Sequence, residues 1–104
     1  MAGGDPSCDQ PFVSIEFEVF GKVQGVYFTK YVRDLCRQLG ICGWVKNSKN
    51  GTIVGKMQGQ QELVDQMMQW LSTVGSPGST IDHCEFTNWE SVMKLQYDGY
   101  AIRF

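Results

Sequence analysis

Histidine is almost missing from this chain: His83 is the only one. The four cysteines, Cys8, Cys36, Cys42 and Cys84, include no CxxC pair. A zinc site needs several closely spaced His or Cys ligands, so no metal is expected. No apolar stretch approaches the roughly 18 residues that a spanning helix requires. Residues 1 to 10 carry no basic stretch followed by an apolar run, so no secretory leader is expected. The cysteines then read as free thiols of a cytosolic protein, although four would permit three pairings in an oxidising compartment. Proline is scarce, at three residues, and only 19% of the chain is charged, against 42% hydrophobic. That balance excludes disordered and fibrous classes. With 104 residues there is material for one core.

A formal net charge of -2 argues against a nucleic-acid binder or a membrane-surface protein. The charge is unevenly spread. Residues 21 to 59 hold seven bases (Lys22, Lys30, Arg33, Arg37, Lys46, Lys49, Lys56) and one acid, Asp34, whereas the flanks are strongly acidic. A basic middle suits a local anion site.

Periodicity divides the chain into elements. Val13, Ile15, Phe17 and Val19 alternate with Ser14, Glu16 and Glu18, which predicts a strand over 12–20. Phe28, Tyr31, Val32, Leu35, Cys36 and Leu39 form one helical stripe over 27–39, with Gly40 as its stop. Strands are expected at 41–46 and 52–58 around the turn Asn47-Ser48-Lys49-Asn50-Gly51, where Asn50-Gly51-Thr52 reads as a tight turn and not a glycosylation site. A second helix over 61–74 would bury Leu63, Met67, Trp70, Leu71 and Val74. A weaker strand is expected at 80–87 and a last one at 94–104. Right-handed crossovers place both helices on one face of a mixed antiparallel sheet, an α+β ferredoxin-like sandwich of order β-α-β-β-α-β plus a C-terminal strand. Residues 1–11 are expected to be a flexible tail and 12–104 a single domain.

Gly21-Lys22-Val23-Gln24-Gly25-Val26-Tyr27-Phe28 joins a strand to a helix. Glycine turns at such a junction can aim successive backbone N–H groups at an anion, and a helix start adds free donors. The run is neither GxGxxG nor an ATP loop. From the pattern alone, an anion nest and a plain structural turn both stand. Asn47 could hold a ligand water or start the hairpin, and Gln24 could face a ligand or fill the loop. His83, Trp44, Cys36, Cys42, Met67 and Trp70 have ordinary packing or surface readings.

The same loop, followed by Gly43-Trp44-Val45-Lys46-Asn47, Asn50-Gly51-Thr52, Gln58-Gly59, Gly75-Ser76-Pro77 and the ending Ile102-Arg103-Phe104, resembles the acylphosphatase family, close to its muscle or common type, over residues 12 to 104. The resemblance implies a ferredoxin-like fold and a monomeric, cofactor-free and metal-free cytoplasmic hydrolase. It would split the carboxyl-phosphate bond of acyl phosphates to a carboxylate and inorganic phosphate. It implies phosphoryl binding by backbone donors within Gln24, Gly25, Val26, Tyr27 and Phe28, and an attacking water oriented by Asn47.

The chain departs from the family pattern at Thr29, which stands where the family has its phosphate-clamping arginine. Threonine offers one neutral donor, whereas a guanidinium offers a charged fork. Arg33, one turn on, and Lys30, next in sequence but turned about 100° away, are the candidate compensating charges. Two further readings follow: a phosphate-binding module with little catalysis, and an interaction domain using only the fold. The expected partner is an acyl phosphate or inorganic phosphate, without nucleic acid or membrane.

Overall fold

Strict apolar alternation in the first strand and a helical stripe behind it dictate a sheet covered on one side. In the computed structural model, which describes residues 12–25 and 27–104, the elements run β1 (Phe12–Lys22), α1 (Phe28–Leu39), β2 (Cys42–Asn47), β3 (Ile53–Gly59), α2 (Gln61–Thr73), β4 (Thr80–Val92) and β5 (Tyr100–Ile102). The five strands form one sheet of order β4-β1-β3-β2-β5. All neighbours are antiparallel except β2 and β5. Helix α1 carries the chain from β1 across β3 to β2, and α2 carries it from β3 across β1 to β4. The expected tail at 1–11 lies outside the described residues. Among the described residues, no helix is long and apolar enough to cross a membrane.

The core sits between the helices and one sheet face. Val13, Ile15, Phe17 and Val19 of β1 meet Val32 and Cys36 of α1 and Val64, Met67 and Leu71 of α2. In the second stripe Met67 and Leu71 are buried as expected, and Val64 joins them. Val64 is fully buried, Leu63 and Trp70 only partly, and Val74 is 61% exposed because it caps the helix beyond its last turn. Tyr31, expected on the first stripe, is 41% exposed at the rim.

Two strands differ from expectation. β4 continues past 87 because an extra residue is accommodated beside Asn88, whose φ of 56° bends the strand while pairing resumes at Glu90. The last strand shrinks to three residues. Residues 93–99 instead form a strap held by Gln58. Its Oε1 accepts the Gln96 N–H at 2.8 Å, and its Nε2 donates to Gln96 Oε1 at 2.8 Å and to Ser14 Oγ at 3.1 Å. Arg37 Nε, in the last turn of α1, donates to the Tyr100 carbonyl at 3.1 Å and fastens β5.

Burial pushes the Cys36 thiol up to about 12, opposed in part by a hydrogen bond with Tyr100, and pushes Cys84 up to about 12 as well. Both therefore keep their protons in the folded chain while their unfolded counterparts ionise near 9.0. Above that pH the unfolded state binds fewer protons than the folded one, so stability falls as pH rises from about 9 towards 12. Denaturant melts at pH 8 and 10.5 are expected to show this loss, and serine at both positions is expected to reduce it.

Candidate functional site

The β1–α1 junction is built from backbone in unusual conformations. Gly25 has φ 78° and Tyr27 has φ 58°, ψ 23°. A bulky residue with positive φ is uncommon and carries strain. Tyr27 is 75% exposed, so packing of its ring does not account for the conformation. It caps α1 without any side-chain hydrogen bond, and the first helical turn holds no acidic residue. The first helical bond runs from Tyr31 N to Tyr27 O at 3.0 Å. Among the described residues, the N–H groups of Phe28, Thr29 and Lys30 have no partner. A helix start with no side-chain cap and no acidic residue in its first turn favours an anion.

Packing fixes this helix start from beneath. Phe28 is buried, its ring 5.3 Å from that of Trp70. Gly75 lies so close that a Cβ there would come within 3.2 Å of the Phe28 ring. The 75–79 loop therefore walls one side of the junction.

Gln24 fixes the other side. Its Nε2 donates to the carbonyls of Ser48 and Thr52, both at 2.9 Å. These belong to the β2–β3 turn, which is itself closely stitched. Ser48 Oγ lies 2.6 Å from Thr52 Oγ1 and accepts the N–H groups of Asn50 and Thr52 at 3.1 and 3.2 Å. Thr52 Oγ1 donates to Glu18 Oε2 at 2.7 Å. Gln24 thus acts through its amide as a tether between the loop and the hairpin. Sequence reasoning left its role open and missed Ser48, Thr52 and Glu18. The one available signal was a Ser/Thr pair bracketing an Asn-Gly turn.

Asn47, the residue before Ser48, ends β2. It pairs with Ile53, which pairs with Val19, and these are core-side residues, so Asn47 lies on the helix side of the sheet. It is exposed, and its side chain makes no hydrogen bond among the described residues. The structure therefore ties Gln24 to Asn47's neighbour, bringing the loop and the hairpin together at one end of the sheet.

Thr29 is half-buried in the first turn of α1. Arg33 is engaged elsewhere: its Nε donates to Asp34 Oδ1 at 3.0 Å. Lys30 is exposed and shares an outward stripe with Tyr27, Tyr31 and Asp34. Val26, expected to be among the phosphate-binding residues, lies outside the described residues. Among the described residues, no group of three or more His, Cys, Asp or Glu side chains could hold a metal ion.

Comparison with known proteins gives this geometry a context. The family model described as Acylphosphatase matches residues 15–102. Acylphosphatase-2 of Bos taurus is 47% identical over 98 residues, covering 94% of this chain and 99% of the relative. The Homo sapiens protein of the same name is 46% identical over the same coverage. The solved structure of an acylphosphatase from Coxiella burnetii superposes with a TM-score of 0.77 at 30% identity, covering 89% of this chain and 94% of that one.

Proposed function

Because the chain belongs to the acylphosphatase family, we propose that it binds the phosphoryl group of an acyl phosphate at the start of α1 and hydrolyses the carboxyl-phosphate bond slowly, for want of an arginine at position 29. The observation that carries this reading is a helix start with no side-chain cap and no acidic residue in its first turn, behind a left-handed Tyr27. Gly25 and the backbone around Gln24 complete the cradle.

In this mechanism the donors neutralise charge on the phosphoryl oxygens, and the Asn47 amide orients a water opposite the leaving oxygen. The water oxygen bonds to phosphorus as the bond between phosphorus and the acyl oxygen breaks. The carboxylate leaves with the electron pair, and both protons of the water depart with the phosphate. The leaving carboxylate is a weak base, so no general acid is required. Thr29 supplies at most one neutral hydrogen bond. Arg33, held by Asp34, and Lys30, on the outward stripe, do not replace the missing fork.

The engaged Arg33 also favours a second reading, a phosphate-binding module on the same fold with no useful turnover. Two measurements on the unmodified chain separate the two. Millimolar phosphate is expected to shift the amide signals of Phe28, Thr29 and Lys30. Hydrolysis of an acyl phosphate is expected to exceed the blank. Shifts without hydrolysis would leave only the binding module, and absence of shifts at these three amides would remove the site itself.

A further inference from the structure

In-line displacement at phosphorus sets the attacking water and the leaving oxygen on opposite sides. The fold fixes which side is which. Asn47, at the end of β2, shares a row with Ile53 and Val19, near the end of β1. Helix α1 starts just after β1, so its first turn is level with Asn47. Thr29, Arg33 and Arg37 follow at four-residue spacing along α1, and Arg37 Nε reaches the Tyr100 carbonyl of β5, the strand beside β2. That stripe therefore faces β2 and Asn47. The side towards the sheet is filled by Phe28 and walled by the 75–79 loop. What remains for the acyl group is the outward side of α1.

That side carries aromatic rings. Tyr31 is two residues from Thr29, which puts it about 160° away around the helix. Tyr27, Lys30, Tyr31 and Asp34 line a depression of about 460 Å³. Both tyrosines are exposed. Tyr27 is the more telling of the two. Its left-handed backbone suits glycine or asparagine, and burial of its ring does not offset the strain. Strain of this kind collects at ligand sites. Lys30 and Asp34 bear opposite charges, so the depression has no net pull on a second charged group of the acyl chain. Tyr31 lies one turn, about 6 Å, beyond Tyr27 along the helix, a span that an aromatic ring bridges and a methyl group does not.

We propose that Tyr27 and Tyr31 form the acyl subsite and select acyl phosphates whose acyl group is aromatic. The inference rests on the reading of the α1 start as the phosphoryl site. With the phosphoryl group on that helix start, the acyl carbonyl passes over Tyr27 and the ring rests between the two tyrosines in offset or edge-on contact.

Three stable mimics with a methylene in place of the bridging oxygen test this. Phenacylphosphonate carries the ring and acetonylphosphonate a methyl group. The third carries an aliphatic chain ending in a carboxylate. Each is titrated into the full chain and its dissociation constant is read from backbone amide signals, so no turnover is needed. Phenacylphosphonate is expected to bind about tenfold more tightly than acetonylphosphonate, and the carboxylate mimic no better than acetonylphosphonate. Tyr27→Ala and Tyr31→Ala are each expected to reduce the preference for the ring about threefold to fivefold, whereas Tyr27→Phe and Tyr31→Phe keep it. The preference is a ratio, so a general loss of binding in a variant does not imitate the effect. Equal affinity for the ring and the methyl mimic overturns the subsite and leaves the phosphoryl site standing. So does a preference that survives both alanine variants, or tightest binding of the carboxylate mimic. Absence of shifts at the α1 start with every mimic overturns the subsite and the phosphoryl site together.

Discussion

Thr29→Arg is expected to raise kcat/KM for an acyl phosphate by about 10² to 10³, the scale associated with one well-placed donor in an oxyanion site. The position is in the first turn of α1, between Phe28 and Lys30, so a guanidinium there would share the phosphoryl ligand proposed for this helix start. It brings a planar fork and a permanent charge where threonine brings one neutral hydroxyl. The charge grows in importance as the phosphoryl group is transferred, so kcat as well as KM is expected to improve. The helix gains a cation at its N-terminal end, which costs about 0.3–1 kcal/mol. Activity and stability therefore move in opposite directions, and no general improvement in folding can produce that pattern. Thr29→Lys, a charge without the fork, is expected to fall between the two. Equal and high rates for the original chain and the arginine variant would show that position 29 is not the clamp. Rates at the blank for both would place the defect elsewhere in the site.

Gly43→Ala is expected to cost about 3–4 kcal/mol, the upper end of what overpacking and local backbone strain each cause. A Cβ there would be 2.1 Å from the Lys56 carbonyl oxygen and 3.2 Å from the Tyr100 ring, and the residue has φ 138°. The nearest obstacle is backbone of the adjacent strand, so relief requires β2 to move away from β3, taking Asn47 with it. For a domain of this size the loss corresponds to a Tm lower by about 15–25 °C. Gly51→Ala serves as the control. Gly51 also has positive φ, at 86°, but nothing lies within 4 Å of its added Cβ. Its expected cost is about 1 kcal/mol, from conformation alone. Equal losses from the two variants would sink the close-approach argument.

The parts of the fold governed by local periodicity were legible from sequence. Alternation in β1 and the stripe of α1 depend on neighbours two to four residues apart, and both elements occur where the pattern places them. What escaped notice depends on distant partners. The run from Met93 to Gly99 contains Leu95 and Tyr97 in alternation, yet it is pulled out of the sheet by Gln58, nearly forty residues away. The continuation of β4 rests on one bent residue, Asn88, a type that tolerates positive φ but does not say that a strand resumes beyond it. In the site, the loop was legible from its glycines, but the tether was not. Gln24 reaches carbonyls 24 and 28 residues on, and any amide-bearing residue in a loop would look the same. The significance of Thr29 came only from resemblance, because a threonine in a first helical turn is unremarkable by itself.

The two margins of the sheet are closed by the last segments of the chain. β4 pairs along β1 as far as Phe12 with Val92, and β5 enters by pairing Tyr100 with Gly43. A ribosome still holding the final third of the chain therefore exposes β1 and β2 without their outer partners. The decisive contacts span most of the sequence, so their loop-closure entropy is lost before any compensating contact forms. Folding is consequently completed only when β4 and β5 join β1 and β2. Until then the apolar edge of β1, from Val13 to Val19, is open to pairing with the wrong strand.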